Sequence, residues 1–220
     1  VVTFRSFGSG TPVTLVGHGL GATPGEARLP TSGLPGTKVV VTLPSHGDAP
    51  DAPEGYWSYR RIAADLREVA RETGATQAIG VSLTAGALLT LLAGEPDAFD
   101  RVALLLPSVL DEPRPVLDRE DAITAVGGPP DYQAERRRAF ARLDGALAAL
   151  PGQVAVADRA ALSQVTAPVL VVGATRDPLH PEDVAKQVAA SFPNGRLELV
   201  PSWTTHRGDV RGWLLDFLRG

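Results

Sequence analysis

Ten serines occur in this 220-residue chain, and only Ser82 has a glycine two positions before it. It lies within Gln77–Leu92, QAIGVSLTAGALLTLL, which reads as a buried strand at Ala78–Ile79, a tight turn at Ser82, and a small-residue apolar helix. Gly80-Val81-Ser82-Leu83 matches the front of Gly-x-Ser-x-Gly, in which a serine occupies a strained strand-to-helix turn. A hydroxyl held there projects above the sheet, and the helix N-terminus stabilises negative charge developing beside it. Gly80 leaves room for neighbouring backbones to close in. Thr84 stands where the second glycine is expected, with Ala85 and Gly86 keeping the helix start small. A serine hydroxyl is a poor nucleophile at neutral pH and needs a base, which in turn needs a carboxylate to fix its tautomer. Candidates for both follow later, in the order Ser82, Asp177, His206.

The elements that must position these groups are legible as alternating strands and helices. Val2 to Phe7 alternates and opens the sheet as an edge strand; Val13–Gly17 and Lys38–Leu43 are short apolar or β-branched runs. Tyr59 to Glu72 has helical spacing through Ile62, Leu66 and Val69. Arg101–Leu106, Pro168–Ala174 and Arg196–Val200 continue the strand rhythm, with helices at Pro181–Phe192 and Val210–Leu218. Such alternation predicts an α/β fold, a mostly parallel β-sheet flanked by helices on both faces. Between Ser108 and Thr166 charge and proline rise, and Asp131–Leu150 reads as one helix with Phe140, Leu143, Leu147 and Leu150 on a single face. This stretch, roughly 108–166, reads as a small helical cap inserted in a single 1–220 domain. Function gathers outside the carboxyl ends of strands in open parallel sheets. Those ends carry His18, Ser45, His46, Ser82, Asp177 and His206.

Composition narrows the classes. Hydrophobic residues at 44%, charged residues at 21% and a net charge of −4 suit a soluble domain and disfavour a dedicated nucleic-acid binder. No apolar run approaches the ~20 residues of a membrane span, and the first fifteen residues lack a signal-peptide pattern, so a cytoplasmic location is expected. The absence of cysteine excludes disulfides and thiolate chemistry, and four histidines make a metal site an unfavoured reading.

The motifs together resemble the α/β-hydrolase fold family over nearly the whole chain. Gly17-His18-Gly19-Leu20-Gly21 is similar to its oxyanion loop, and Pro44-Ser45-His46-Gly47-Asp48 to its Pro-Gly-His-Gly loop, with serine for one glycine. Val171–Pro178, VVGATRDP, resembles the strand and loop bearing the acid, and His206 the histidine before the last helix. The resemblance implies that Ser82 attacks an acyl carbon, His206 shuttles the proton and Asp177 orients His206. It also implies an oxyanion hole from the backbone N–H groups of Leu20 and Leu83, and no metal or cofactor. The expected partner is a small, largely apolar acyl substrate, neither nucleic acid nor membrane, and the reaction cleavage of an ester, lactone or thioester. Carbon–carbon bond hydrolysis or acyl transfer at the same serine, and a non-catalytic ligand binder on the same fold, are the alternatives. An aspartate at the elbow would have implied dehalogenase or epoxide hydrolase chemistry; Ser82 argues against it.

Other residues have plainer readings. His18, His46, Trp57, Phe140, Leu143 and Trp203 are candidate pocket residues, although His18 fits a loop-shaping role and Trp57, Tyr59 and Trp203 fit packing. His180, before a proline and a helix, reads as a surface or cap residue, and Arg136-Arg137-Arg138 as a solvated helix face. Asp111 is a second carboxylate following a buried strand, but it lies in a charged segment.

Overall fold

A computed structural model describes residues 2–114, 116, 118–125 and 128–219. Seven strands form one sheet: β1 (Thr3–Phe7), β2 (Val13–Gly17), β3 (Thr37–Thr42), β4 (Gln77–Val81), β5 (Arg101–Leu105), β6 (Val169–Ala174) and β7 (Gly195–Val200). Their spatial order is β1-β3-β2-β4-β5-β6-β7, and only β1 runs antiparallel, pairing Thr3 with Thr42 through Phe7 with Lys38. No residue of β1 is fully buried, which suits that edge, whereas β6 (VLVVGA) is buried at every position.

Among the described residues eight α-helices accompany the strands: α1 (Pro24–Arg28), α2 (Tyr59–Thr73), α3 (Leu83–Gly94), α4 (Arg119–Thr124), α5 (Pro130–Phe140), α6 (Asp144–Ala149), α7 (Glu182–Ala190) and α8 (Arg207–Arg219). The core splits by sheet face. One cluster joins Leu15, Val39 and Leu104 to α2 and α3; the other joins Val16, Ile79, Leu105 and Val172 to α8 through Val210, Leu214 and Phe217. α3 has almost no polar side, because it lies between the sheet, α2 and the 108–166 segment. α2 starts on Ser58, whose Oγ accepts from Arg61 N, and stops at Gly74 with φ 68°, a left-handed conformation that favours glycine.

The stretch expected as one helix over Asp131–Leu150 is two. α5 ends at Phe140, and Leu143 (φ −116°, ψ 16°) leaves helical geometry before α6. Leu143 N donates to Phe140 O while its side chain is fully buried, so packing rather than helical continuity fixes this corner. The arginine run is also not a solvated face. Arg137 and Arg138 are exposed, but Arg136 is buried, its Nη1 donating to Glu26 Oε1 at 3.3 Å. Glu26 also accepts from Tyr132 Oη at 2.5 Å and from Thr23 N at 2.8 Å, completing the reciprocal cap of α1. One carboxylate therefore ties α1 to α5. On the other side Arg142 donates to Asp51, Gly47 O and Ala49 O, so the segment is fastened at two places.

Candidate active site

β4 lies in the middle of the sheet and delivers Ser82 at its carboxyl end, immediately before α3. Ser82 has φ 50° and ψ −101°, a left-handed backbone that costs a non-glycine residue about 1–3 kcal/mol. Neighbours hold it there: Ser82 N donates to Leu105 O at 2.8 Å, and Gly86 N donates to Ser82 O at 3.1 Å. Gly80 is needed as the sequence suggests, because a Cβ there would sit 2.8 Å from Ala85 N and Thr84 O.

Thr84 is accommodated rather than disruptive. Its Oγ1 accepts from Val81 N at 2.9 Å and lies 3.2 Å from Val81 O, bracing the turn from inside. The room comes from Gly17 on β2, where a Cβ would lie 2.7 Å from Thr84 Cβ. The small residue absent from the elbow has moved to the neighbouring strand.

The imidazole beside Ser82 is that of His180. Its Nε2 lies 2.8 Å from Ser82 Oγ, and its Nδ1 lies 2.8 Å from Asp177 Oδ2. A carboxylate only accepts, so Nδ1–H donates to Asp177, and that tautomer turns Nε2 toward the serine hydroxyl. The loop builds this over four residues. Leu179 N donates to Asp177 Oδ1 at 2.9 Å, an Asx-type turn that returns the His180 ring over its own Asp177. Burial pulls the Asp177 carboxyl upward, but the His180 hydrogen bond and charge, with the Leu179 and His180 amides, outweigh it and hold its pKa below the ordinary value. Asp177 is therefore ionised at neutral pH.

His206, the residue expected in this role, is not brought to Ser82. Only residues 201–206 separate β7 from α8, and His206 folds back onto that turn. Its backbone N donates to Ser202 O at 3.2 Å, and its Nδ1 lies 3.0 Å from the same oxygen and 2.9 Å from Thr205 Oγ1. His180, expected at the surface, has an 11% exposed side chain. The available signal was its three-residue spacing from Asp177, which one turn closes. Asp111 is committed elsewhere, accepting from Arg159 Nε and Nη2 at 2.5 and 2.7 Å.

Opposite Ser82 runs the loop after β2. A Cβ on Gly19 would lie 3.4 Å from Ser82 Cβ, so this backbone passes directly over the serine. Leu83 opens α3 and has no intrahelical acceptor for its N–H, and Leu20 N donates to no group among the described residues. Two buried histidines set this loop. His46 Nε2 accepts from Gly21 N at 2.9 Å while its Nδ1 donates to Pro44 O; His18 Nε2 accepts from Leu43 N at 3.1 Å while its Nδ1 donates to Gly19 O. Burial drives both pKa values down, that of His46 to about 3, so both rings are neutral clamps.

The open space at Ser82 measures about 150 Å³ and includes Leu106, Phe140, Trp203, Arg114 and His180 in its walls. Of the other expected pocket residues, Trp57 packs edge-on against Tyr56, and Leu143 lies in the core. His18 and His46 face a separate cavity beside Phe7 and Arg28.

No protein-family model matches the sequence, and no curated protein matches it. Solved structures do. A hydrolase from Pseudomonas aeruginosa PA01 superposes with a TM-score of 0.80 at 20% identity, covering 100% of this chain and 94% of that one. An esterase from Exiguobacterium antarcticum gives 0.80 at 18%, covering 100% and 96%. An enol-lactonase from Burkholderia xenovorans LB400 gives 0.75 at 17%, covering 100% and 96%. The chain has the α/β-hydrolase fold.

Proposed function

We propose that this protein is a serine hydrolase that cleaves an ester, lactone or thioester bond of a small, largely apolar substrate through an acyl-enzyme. One observation carries the reading: the unbroken chain Ser82 Oγ, His180, Asp177, with both links at 2.8 Å, on a strained corner that opens into a pocket. The hydrolase, esterase and enol-lactonase identities of the fold's neighbours agree with it.

In this mechanism Ser82 Oγ attacks the acyl carbon as its proton passes to His180 Nε2. The carbonyl oxygen becomes an oxyanion facing the N–H groups of Leu20 and Leu83, donors that contribute about 2.7–4 kcal/mol each in comparable sites. Asp177 stabilises the imidazolium without taking its proton. His180 then protonates the departing alkoxide or thiolate, and the acyl group remains on Ser82. Water enters, gives its proton to His180 and attacks the ester carbon. Collapse returns that proton to Ser82 Oγ and releases the acid. The 108–166 segment acts as the cap, supplying Phe140, Ala122 and Arg114 to the pocket wall.

An organophosphonate probe tests the reading. Mass spectrometry is expected to find the adduct on the peptide containing Ser82, and Ser82→Ala to abolish both labelling and turnover of short aryl esters. Full activity in purified Ser82→Ala would remove Ser82 from the role.

A further inference from the structure

We propose that the substrate carries a carboxylate a few bonds from the scissile carbonyl and that Arg114 is the residue that anchors it. This rests on the hydrolase reading and adds the substrate's charge to it. Ser82 lies where two spaces meet, the 150 Å³ pocket and a smaller one of about 30 Å³ lined by Tyr59, Leu147, Leu150 and Pro151. Three residues line both: Leu20, Ser82 and Arg114. Arg114 is thus beside Ser82 where the two spaces join.

Arg114 differs from the arginines around it. Arg136, Arg137, Arg142 and Arg159 each hold a carboxylate, on Glu26, Glu120, Asp51 and Asp111 respectively. Among the described residues Arg114 has no carboxylate within ion-pair distance, and makes one hydrogen bond, from Nη1 to Ser108 Oγ at 3.2 Å. A guanidinium has five donors and keeps its charge, so a half-buried one with a single neutral acceptor in the protein has donors left for a ligand. The carboxylate nearest in character, Asp177, is already engaged by His180 Nδ1 and Leu179 N. A second unpaired group faces the same space. Tyr59 is 3% exposed, its hydroxyl has no hydrogen-bond partner among the described residues, and its ring packs on Gly86 of α3. Arg136 spends its charge on Glu26, so among the described charged residues lining the larger pocket Arg114 and Arg176 stand against Asp177, a surplus of one positive charge. A carboxylate matches a planar fork of donors in both charge and geometry. Space of about 150 Å³ is that of a six-carbon ring, which suits a short acyl chain.

The experiment compares the aryl monoester of glutaric acid with the aryl ester of pentanoic acid, which ends in methyl instead of carboxylate. The wild-type ratio of kcat/KM is expected to favour the glutarate ester, and Arg114→Gln to lower that ratio by about 10- to 100-fold, with Arg114→Lys between them. A ratio that is unaffected in both variants overturns the proposal. Glutarate itself is titrated against Ser82→Ala and against the Ser82→Ala, Arg114→Gln pair by calorimetry. Binding to the first that weakens at least tenfold in the second supports the anchor; no binding to the first overturns it. If neither ester is turned over by the wild type, the hydrolase reading fails, while the titration still decides the carboxylate site.

Discussion

Acidification should destabilise this protein through its two histidine clamps, and the size of the effect follows from their burial. His46 ionises near 6.5 in an unfolded chain and at about 3 in the folded protein, where a proton on Nε2 would face Gly21 N–H. The unfolded chain therefore binds the extra proton between those values. Stability is whole above about pH 6.5 and is lost progressively as the pH falls toward 3. Between about pH 7.5 and about pH 5 the His46 term alone amounts to about 2 kcal/mol, from about 1.4 kcal/mol per unit over the 1.5 units below the unfolded value. His18 acts in the same direction. The measurement is urea unfolding at both pH values for the wild type and for His46→Gln, whose amide can still accept from Gly21 N but does not titrate. The wild type is expected to lose about 2 kcal/mol more than the variant over that interval. Equal losses would refute the claim that His46 is buried neutral.

Two further perturbations separate elbow packing from cap function. Gly17→Ala is expected to cost about 1–3 kcal/mol by overpacking against Thr84, and most of that cost should vanish in a Thr84→Gly background, measured as a double-mutant cycle in urea. Leu143→Ala, in the core, should lower stability by about 2–5 kcal/mol without altering acyl-chain preference. Leu147→Ala, at the smaller space beside Ser82, should shift that preference in a chain-length series of aryl esters.

The fold was legible because β-branched and apolar runs of five or six residues alternate with 3.6-period stretches, and all seven strands were read to within a few residues. Ser82 showed itself through Gly80, since a strand-to-helix corner with a serine needs that glycine. What could not be read was which histidine meets it. The chain order Ser82, Asp177, His206 is equally compatible with a relay through His180, because order carries no information on reach. Reach depends on the Leu179–Asp177 turn and on the short 201–206 connection, both tertiary matters. Arg136 was misread for a similar reason: its burial depends on Glu26, 110 positions earlier. The Asp131–Leu150 pattern merged two helices because Phe140, Leu143 and Leu147 keep helical spacing straight through the break at 141–143.

The most direct test of the account compares His180→Gln with His206→Gln, both purified and folded, by kcat/KM on one short aryl ester. With His180 as the base, His180→Gln falls by about 10³-fold or more while His206→Gln stays within a few-fold of wild type. Loss of activity in His206→Gln with His180→Gln still active would contradict it.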